Sequence, residues 1–277
     1  MIFVAEIGSN HNGSIHDAKL LITMAKSAGC DFVKFQKRTP DVTEPDHLKN
    51  RIIETPWGDI ARLEMRKRLE FGLEEYDEID RHCRKEGIGW FATAFDSASL
   101  AFLDRYNMPY HKVGSFMVTH LALLEEIAAR KKDTIMSTGM CGWEELDEAV
   151  FVFRRHFCPL TLLHCVGIYP APAEKSNLAM IEALWKRYGV PVGFSSHETG
   201  IAISTAAVGL GAVVIERHIT LSRARWGADQ AFSLEYPGLR QLVGACRKVE
   251  AGLGEGIKEF LPEEMEKAKC LRYWEGR

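Results

Sequence analysis

The sequence predicts a single (β/α)8 barrel. Eight short apolar runs alternate with stretches whose apolar residues recur at helical spacing, and several of the runs are rich in valine, isoleucine and phenylalanine. No proline- or serine-rich linker interrupts the series, and 277 residues suit one large domain, so we predict one domain over 1–277. A doubly wound open sheet is the alternative, but eight strand–helix units in one unbroken series favour a closed sheet.

The predicted elements follow one another in strict alternation. The eight strands cover residues 2–7, 31–36, 88–93, 110–115, 133–138, 160–165, 190–195 and 212–217. The helices cover residues 16–28, 73–86, 97–106, 120–130, 143–156, 177–188, 200–209 and 237–252. Glycine, proline or a polar turn bounds most of the strands, as expected where a buried run ends. Ser97, at the start of the third helix, is of a residue type suited to an N-cap.

One connection is far longer than the others. Residues 37–71 follow the second strand, so they lie on the face of the barrel where the carboxyl ends of the strands meet. A connection of this length is more often functional than idle. We expect it to form a lid, from its own or a neighbouring chain, although it could instead only pack against the barrel or a second subunit. Its candidate lid residues are Arg51, Trp57, Arg62, Arg66 and Arg68.

Composition excludes several classes of function. The formal net charge is −3, so no general attraction to nucleic acid or to an anionic membrane is expected. Seven cysteines without zinc-finger or CxxC spacing are typical of reduced thiols in a cytosolic protein. The first residues do not resemble a signal peptide, and no apolar run approaches the roughly 18 residues of a membrane span. We therefore predict a cytoplasmic protein, and a short amphipathic tail at 254–277.

Polar residues close each predicted strand, and barrel enzymes place their chemistry at these ends. Two of them are lysines, which rarely stand alone in a core. Near serine and threonine hydroxyls, two ammonium groups suit a small, highly charged anion. The alternative is that each lysine only pairs with a nearby carboxylate or extends to solvent. The polar residues at or just after the strand ends are Glu6, Asn10, His11, Lys34, Gln36, Thr93, Asp96, Lys112, Ser115, Ser137, Thr138, His164, Tyr169, Ser195, Ser196, His197, Glu216 and His218.

Two histidines follow neighbouring strands, in "GFSSHETG" (193–200) and "VIERHIT" (214–220). Neutral imidazole is a common ligand of divalent transition metals, and adjacent strand ends can bring the rings of His197 and His218 together. With a carboxylate they could hold Mn²⁺, Fe²⁺ or Zn²⁺. The alternative is that each is a hydrogen-bonded structural residue, which is our expectation for His164 inside its apolar run.

The assembled motifs resemble those of the sialic acid synthase family, which includes N-acetylneuraminate, legionaminate and pseudaminate synthases. The resemblance rests on "AEIGSNHNG" (5–13), "VKFQ" (33–36), "STGM" (137–140), "LLHCVGIYPAP" (162–172), "ERHIT" (216–220) and "GADQAFSLE" (227–235), and runs from residue 2 to about 252. It implies a barrel enzyme that condenses phosphoenolpyruvate with a sugar aldehyde. The product would be a 2-keto-3-deoxy sugar acid, with release of phosphate, and a divalent ion, most often Mn²⁺ but also Mg²⁺ or Co²⁺, would be required.

The resemblance also implies roles for individual residues. His197 and His218 would bind the metal, and Glu6, Tyr169 and Asp229 would bind the acceptor sugar. Glu6, His197, His218 and Asp229 would be the catalytic residues. The residues implied to bind phosphoenolpyruvate are Lys34, Gln36, Thr93, Lys112, Ser115, Ser137 and Ser195.

The chain departs from the family pattern in ways that affect the acceptor. No antifreeze-like domain follows the barrel, so we expect another element, the segment 37–71, to cover the site. Phe116 and Met117 stand where the family carries "GE", Gly167 replaces an asparagine, and Ala94 replaces a proline. An acceptor other than an N-acyl hexosamine, such as an unmodified aldose or a sugar phosphate, therefore remains an alternative. A less favoured alternative is a non-catalytic scaffold. The resemblance further implies a homo-oligomer, a dimer or larger.

Overall fold

The computed structural model describes residues 1–274; residues 275–277 of the predicted tail lie outside the described part. Its strands, numbered β1 to β10, are Ile2–Gly8, Phe32–Lys37, Ile52–Thr55, Gly58–Ala61, Gly89–Ala94, His111–Val113, Thr134–Ser137, Leu160–Cys165, Val192–Ser196 and Val214–His218. Its helices, numbered α1 to α12, are Ile15–Ala28, Pro40–Thr43, Asp46–Lys49, Arg62–Leu69, Leu73–Glu86, Ser97–Leu103, Leu121–Ala129, Trp143–Arg155, Met180–Tyr188, Ala202–Gly209, Tyr236–Gly252 and Pro262–Leu271.

Eight parallel strands form a closed barrel in the order β1-β10-β9-β8-β7-β6-β5-β2, and helices connect successive strands. The predicted (β/α)8 barrel is therefore confirmed, with each barrel strand within two residues of its predicted ends. The core extends around the barrel, and β1, β2, β5 and β9 each contribute apolar side chains that are almost fully buried. Phe3, Phe35, Phe91 and Phe194 are among the largest of them.

Local sequence explains where the helices begin and end. Ser14 caps α1 by accepting a hydrogen bond from the Asp17 amide at 3.2 Å, and Gly29 ends the helix with φ of 91°, a conformation that favours glycine. The expectation that Ser97 caps α6 is wrong. Asp96 is the N-cap, because its carboxylate accepts from the Ser99 amide at 2.8 Å while Ser97 is already helical.

The long connection 37–71 is folded. It contains the helices α2, α3 and α4 and the antiparallel hairpin β3–β4. Two contacts hold its hairpin to the loop after β10: the Trp57 and Trp226 rings pack at 5.6 Å, and the Trp226 indole donates to the Glu54 carbonyl at 3.1 Å. The segment thus lies on the face where the carboxyl ends of the strands meet.

The chain beyond α11 is exposed over almost all of its described length, including α12. Within residues 1–274, no helix is both long and apolar enough to cross a membrane.

Candidate active site

Strand register brings the predicted site residues together at one end of the barrel. Glu6 on β1 lies level with Lys34 on one side and with His218 on the other. Thr93 on β5 lies level with Gln36 and with Lys112 in the same way. Because β1, β2, β5, β6 and β10 are adjacent in the closed sheet, these side chains share one layer of the barrel.

Two buried lysines face two buried carboxylates in this layer. The Lys34 ammonium is 2.6 Å from Oε2 of Glu6 and 3.7 Å from Oε1 of Glu216, and the Lys112 ammonium is 4.0 Å from the same Glu216 oxygen. All four side chains are at most 7% exposed. The lysines therefore pair with carboxylates, as one of the two interpretations of the sequence expected. The pairing also holds both ammonium groups side by side.

Hydroxyl groups surround the same lysines. Lys34 donates to Thr93 Oγ1 at 3.3 Å, and Lys112 donates to Ser137 Oγ at 2.6 Å. Ser195 donates to Glu216 Oε1 at 3.2 Å. The predicted anion-binding groups are thus brought together, and the network has the donors that a small anion requires.

Ser115 and Gln36 border this network. The Ser115 hydroxyl accepts from the Gly139 amide at 3.2 Å. Gln36 donates to Glu6 Oε1 at 3.0 Å, and it also lines the open cavity above the barrel, so it joins the buried network to that cavity.

Burial and charge set the protonation of the four ionisable groups. Burial raises the pKa of Glu6 to about 7, although Lys34 opposes the change. Burial would lower the pKa of Lys34, but the charges of Glu216 and Glu6 raise it. Burial lowers the pKa of Lys112. Burial would raise the pKa of Glu216, but Lys112 and Lys34 lower it, so Glu216 is the carboxylate that stays ionised.

The two predicted metal-binding histidines lie side by side, with ring centroids 5.5 Å apart. His197 Nδ1 is 3.0 Å from the Val166 carbonyl, so that nitrogen carries the proton and the lone pair is on Nε2. His218 Nδ1 is buried without a hydrogen-bond partner. Burial lowers the pKa of His197 to about 4 and also lowers that of His218. Both rings are therefore neutral, the form that binds metals.

These donors fit a divalent ion only in part. Among the described residues, no three His, Cys, Asp or Glu side chains form a group that could hold a metal. The chain thus offers two imidazoles, one of them with an unpartnered buried nitrogen, and leaves the other coordination positions to water or substrate. His164 contributes nothing here, since its Nε2 bonds to the Ser176 carbonyl at 2.7 Å.

A cavity of 1140 Å³ opens above the barrel. His218, Tyr169 and Asp229 are among its lining residues, and the Tyr169 ring packs against His197 with centroids 4.0 Å apart and the ring planes tilted by 40°. Segment 37–71 supplies much of the outer wall. Of the three predicted acceptor residues, Tyr169 and Asp229 line this cavity. Glu6 is buried beneath it and accepts a hydrogen bond from the lining residue Gln36.

A model of the NeuB family matches residues 21–258, and this match covers most of the barrel. The chain belongs to the NeuB family. Among similar proteins, the N,N'-diacetyllegionaminic acid synthase of Campylobacter jejuni is 36% identical over 98% of this chain and 83% of that protein. Human N-acetylneuraminate-9-phosphate synthase is 38% identical over 95% of this chain and 74% of the human one.

A solved relative has the same fold along the whole NeuB-family chain. The crystal structure of the N-acetylneuraminic acid (sialic acid) synthetase from Leptospira borgpetersenii, in complex with citrate, superposes with a TM-score of 0.88 at 30% identity. The superposition covers 100% of this chain and 93% of that one. The resemblance noted in the sequence is therefore confirmed.

Sequence reasoning gave no role to two residues of this NeuB-family site. Glu216 was recognised as a strand-end residue, but only the structure shows its carboxylate between the two lysines and Ser195. Cys165 is buried on β8, which is separated from the strand of Glu216 by β9, and Ser115, Lys112 and Ser195 influence its thiol. The sequence signal that could identify such residues is a polar residue at the end of a strand, and Glu216 has this signal.

Proposed function

We propose that this chain condenses phosphoenolpyruvate with the aldehyde of an N-acyl hexosamine or a related aldose. The product is a 2-keto-3-deoxy sugar acid of the nonulosonic type, and phosphate is released. The observation that carries the proposal is the layer in which two buried lysines, with their hydroxyl partners, adjoin two neutral histidines. This layer would pair an anion site with the site of a Lewis-acid metal ion, and the condensation needs both.

The buried network would bind phosphoenolpyruvate. Lys34 and Lys112 would neutralise its phosphate and carboxylate, and the hydroxyl groups would orient it through directed hydrogen bonds. The remaining proposed contacts to this substrate are Gln36, Thr93, Ser115, Ser137 and Ser195.

The inner cavity would bind the acceptor. Asp229 and Glu6 would accept hydrogen bonds from its hydroxyl groups, and Tyr169 would pack against the sugar. Glu6 would also hold or release a proton at its carboxylate, because a group with a pKa of about 7 does both near neutral pH.

Members of this family depend on a divalent metal. We propose that Nε2 of His197 and a ring nitrogen of His218 hold it, and that the ion is Mn²⁺, with Mg²⁺ or Co²⁺ as substitutes. When bound, the ion would polarise the aldehyde carbonyl as a Lewis acid.

The proposed bond changes balance. The C3 carbon of phosphoenolpyruvate attacks the aldehyde carbon, and the aldehyde oxygen takes up a proton to become a hydroxyl. Water adds at C2 and loses one proton, which matches the proton taken up by the aldehyde oxygen. The C2–O bond to phosphate then breaks, the remaining proton of the C2 hydroxyl leaves with the phosphate as hydrogen phosphate, and C2 becomes the keto carbon. Asp229 and Glu6 are the carboxylates placed to move these protons.

We further propose that segment 37–71 of the same chain is the lid that excludes bulk water from this site. The support is that its side chains line the cavity while its hairpin is held by Trp226. A cytoplasmic location and a homo-oligomer, a dimer or larger, stay predictions. Light scattering during gel filtration tests the second.

The function is tested by incubating the protein with Mn²⁺, phosphoenolpyruvate and a panel of aldoses, N-acyl hexosamines and their phosphates. We expect phosphate release that requires both the aldehyde and the ion. A scaffold would release no phosphate with any acceptor and would bind no stoichiometric metal.

A further inference from the structure

The outer wall of the cavity carries three guanidinium groups. Arg38 follows β2, and Arg62 and Arg66 lie one turn apart on α4, so all three come from one side of the mouth. They line the same cavity as His218, which lies at its inner end. A molecule with its reacting end beside His218 would therefore present its far end to these arginines.

The nearby carboxylates do not satisfy every hydrogen-bond donor of these arginines. Glu44 pairs with Nε of Arg62 and lies 3.4 Å from Nε of Arg66, but the second contact lacks hydrogen-bond geometry. The buried Arg66 Nε consequently has no hydrogen-bond partner. Arg38 pairs with Glu70 at 3.1 Å and with Gln36.

Arg38 and Arg66 also repel each other. Burial, and next the charge of Arg66, lower the pKa of Arg38 to about 10. The guanidinium of Arg38 is fixed all the same, because it stacks over the Phe95 ring at 4.2 Å. Two like charges held close in a cavity wall form a site that an anion between them would stabilise.

The other carboxylates of the cavity do not complete this site. Asp96 is the N-cap of α6, and both of its carboxylate oxygens accept hydrogen bonds from Thr39 and Ser99. Asp229 lies on the loop after β10, and its charge acts on the two histidines and also on Arg38, but within residues 1–274 it forms no ion pair with Arg38.

We infer that the acceptor carries an anionic group, a phosphate ester or a carboxylate, at the end remote from its aldehyde, and that Arg38 and Arg66 bind it with Arg62 beside them. This inference rests on the proposed function, because the direction of the acceptor follows from the reaction at the histidines. Guanidinium groups bind phosphate and carboxylate through paired, charge-assisted hydrogen bonds. A neutral hydroxymethyl group at the same carbon of the acceptor could not form such a pair.

The test compares three acceptors that differ at one carbon: N-acetylmannosamine, its 6-phosphate and the corresponding 6-carboxylate. Phosphate release from phosphoenolpyruvate gives kcat and KM for each. We expect kcat/KM to be about 10- to 100-fold higher for an anionic acceptor than for the neutral one, and the higher of the two anionic values identifies the group.

Arg38→Met and Arg66→Met should each remove most of this preference, because each should raise KM for the anionic acceptor by a much larger factor than KM for the neutral acceptor. Arg66→Lys should restore part of it, because a lysine keeps the charge without the paired hydrogen bonds. Arg84→Met, on the outer helix α5, is the matched control for lost charge. Circular dichroism of each variant checks the fold.

Three results would overturn the inference. Equal or better turnover of the neutral acceptor by the unmodified protein would do so while leaving the proposed function intact. A preference for the anionic acceptor that survives both methionine variants would place the anion elsewhere. No phosphate release with any of the three acceptors, or with the wider panel above, would overturn both the inference and the proposed function.

Discussion

The ammonium of Lys34 lies 2.6 Å from a carboxylate oxygen of Glu6, where two adjacent strands of the barrel end. Both side chains are buried, so neither charge is solvated by bulk water. Removing one partner of such a pair leaves an uncompensated charge in the interior, which is far more costly than the pair itself. The lysines of this layer should therefore be sensitive to substitution, and their carboxylate partners should be equally so.

We expect Lys34→Met and Lys112→Met each to raise the KM for phosphoenolpyruvate strongly or to stop turnover. Each removes a charge-assisted contact of about 1.5–3 kcal/mol. Steady-state phosphate release at varied phosphoenolpyruvate concentration measures the effect. Lys19→Met, which breaks only a surface pair with Glu78, is the control. Near-normal kinetics in both buried variants would move the anion site elsewhere.

Glu216→Gln should destabilise the fold by roughly 3 kcal/mol, because it leaves two buried ammonium groups with one carboxylate. Inorganic phosphate should then raise the melting temperature of the variant more than that of the unmodified protein, since the anion replaces the lost charge. Thermal melts with and without phosphate test this, with the exposed Glu182→Gln as control. Equal phosphate shifts in both proteins would show that Glu216 does not hold the lysines for an anion.

His197→Ala and His218→Ala should each abolish stoichiometric metal binding and metal-dependent phosphate release while leaving the fold intact. The reason is that the neutral imidazole rings of these two histidines are the only protein ligands that we assign to the metal ion. Metal content after dialysis and circular dichroism are measured beside activity. His156→Ala, on the outer surface, should behave like the unmodified protein. Full activity of the unmodified protein in excess chelator would contradict the assignment.

Replacing residues 48–64 with a short Gly/Ser linker should raise the KM for the acceptor and lower kcat, because the lid would be lost. Trp57→Ala is the milder variant, since it removes the ring that packs on Trp226. The exposed Trp185→Ala serves as its control. A linker variant that stays folded, binds metal and keeps both kinetic constants would show that something else closes the site.

Stability should fall between pH 6.5 and about 4 because of His111. Burial, with Lys132 adding to it, lowers the pKa of this histidine to about 4 in the folded state. The unfolded chain therefore binds more protons in that window, and this one group costs roughly 2 kcal/mol of stability at pH 5. Urea unfolding of His111→Gln should depend less on pH than that of the surface control His16→Gln. Identical pH profiles would contradict this.

The barrel could be predicted because its strands are short apolar runs with clear ends. The least accurate strand was 110–115, of which only His111–Val113 is strand, because Ser115–Met117 turns into a 3₁₀ helix. The cap of α6 was misplaced by one residue, since Asp96 and Ser97 are both suitable caps and only tertiary contacts with Thr39 distinguish them.

The deep part of the site could also be predicted, since a barrel gathers all its strand ends in one place. The arrangement of charges could not. Both lysines lie beside Glu216, and the charge of Arg66 acts on Arg38 from another element. These arrangements depend on side-chain directions that no local sequence pattern encodes. From the sequence, Arg62 and Arg66 were expected only to be lid residues, and Arg38 was given no role.

The most direct test of the proposed condensation uses phosphoenolpyruvate labelled with ¹⁸O in the oxygen that bridges C2 and phosphorus, and with ¹³C at C3. With Mn²⁺ and an accepted sugar aldehyde, we predict that the ¹⁸O leaves with phosphate and that the ¹³C is bonded to the former aldehyde carbon. Mass spectrometry of phosphate and ¹³C NMR of the sugar acid measure both. Unlabelled phosphate together with labelled pyruvate, formed whether or not an aldehyde is present, would contradict the account.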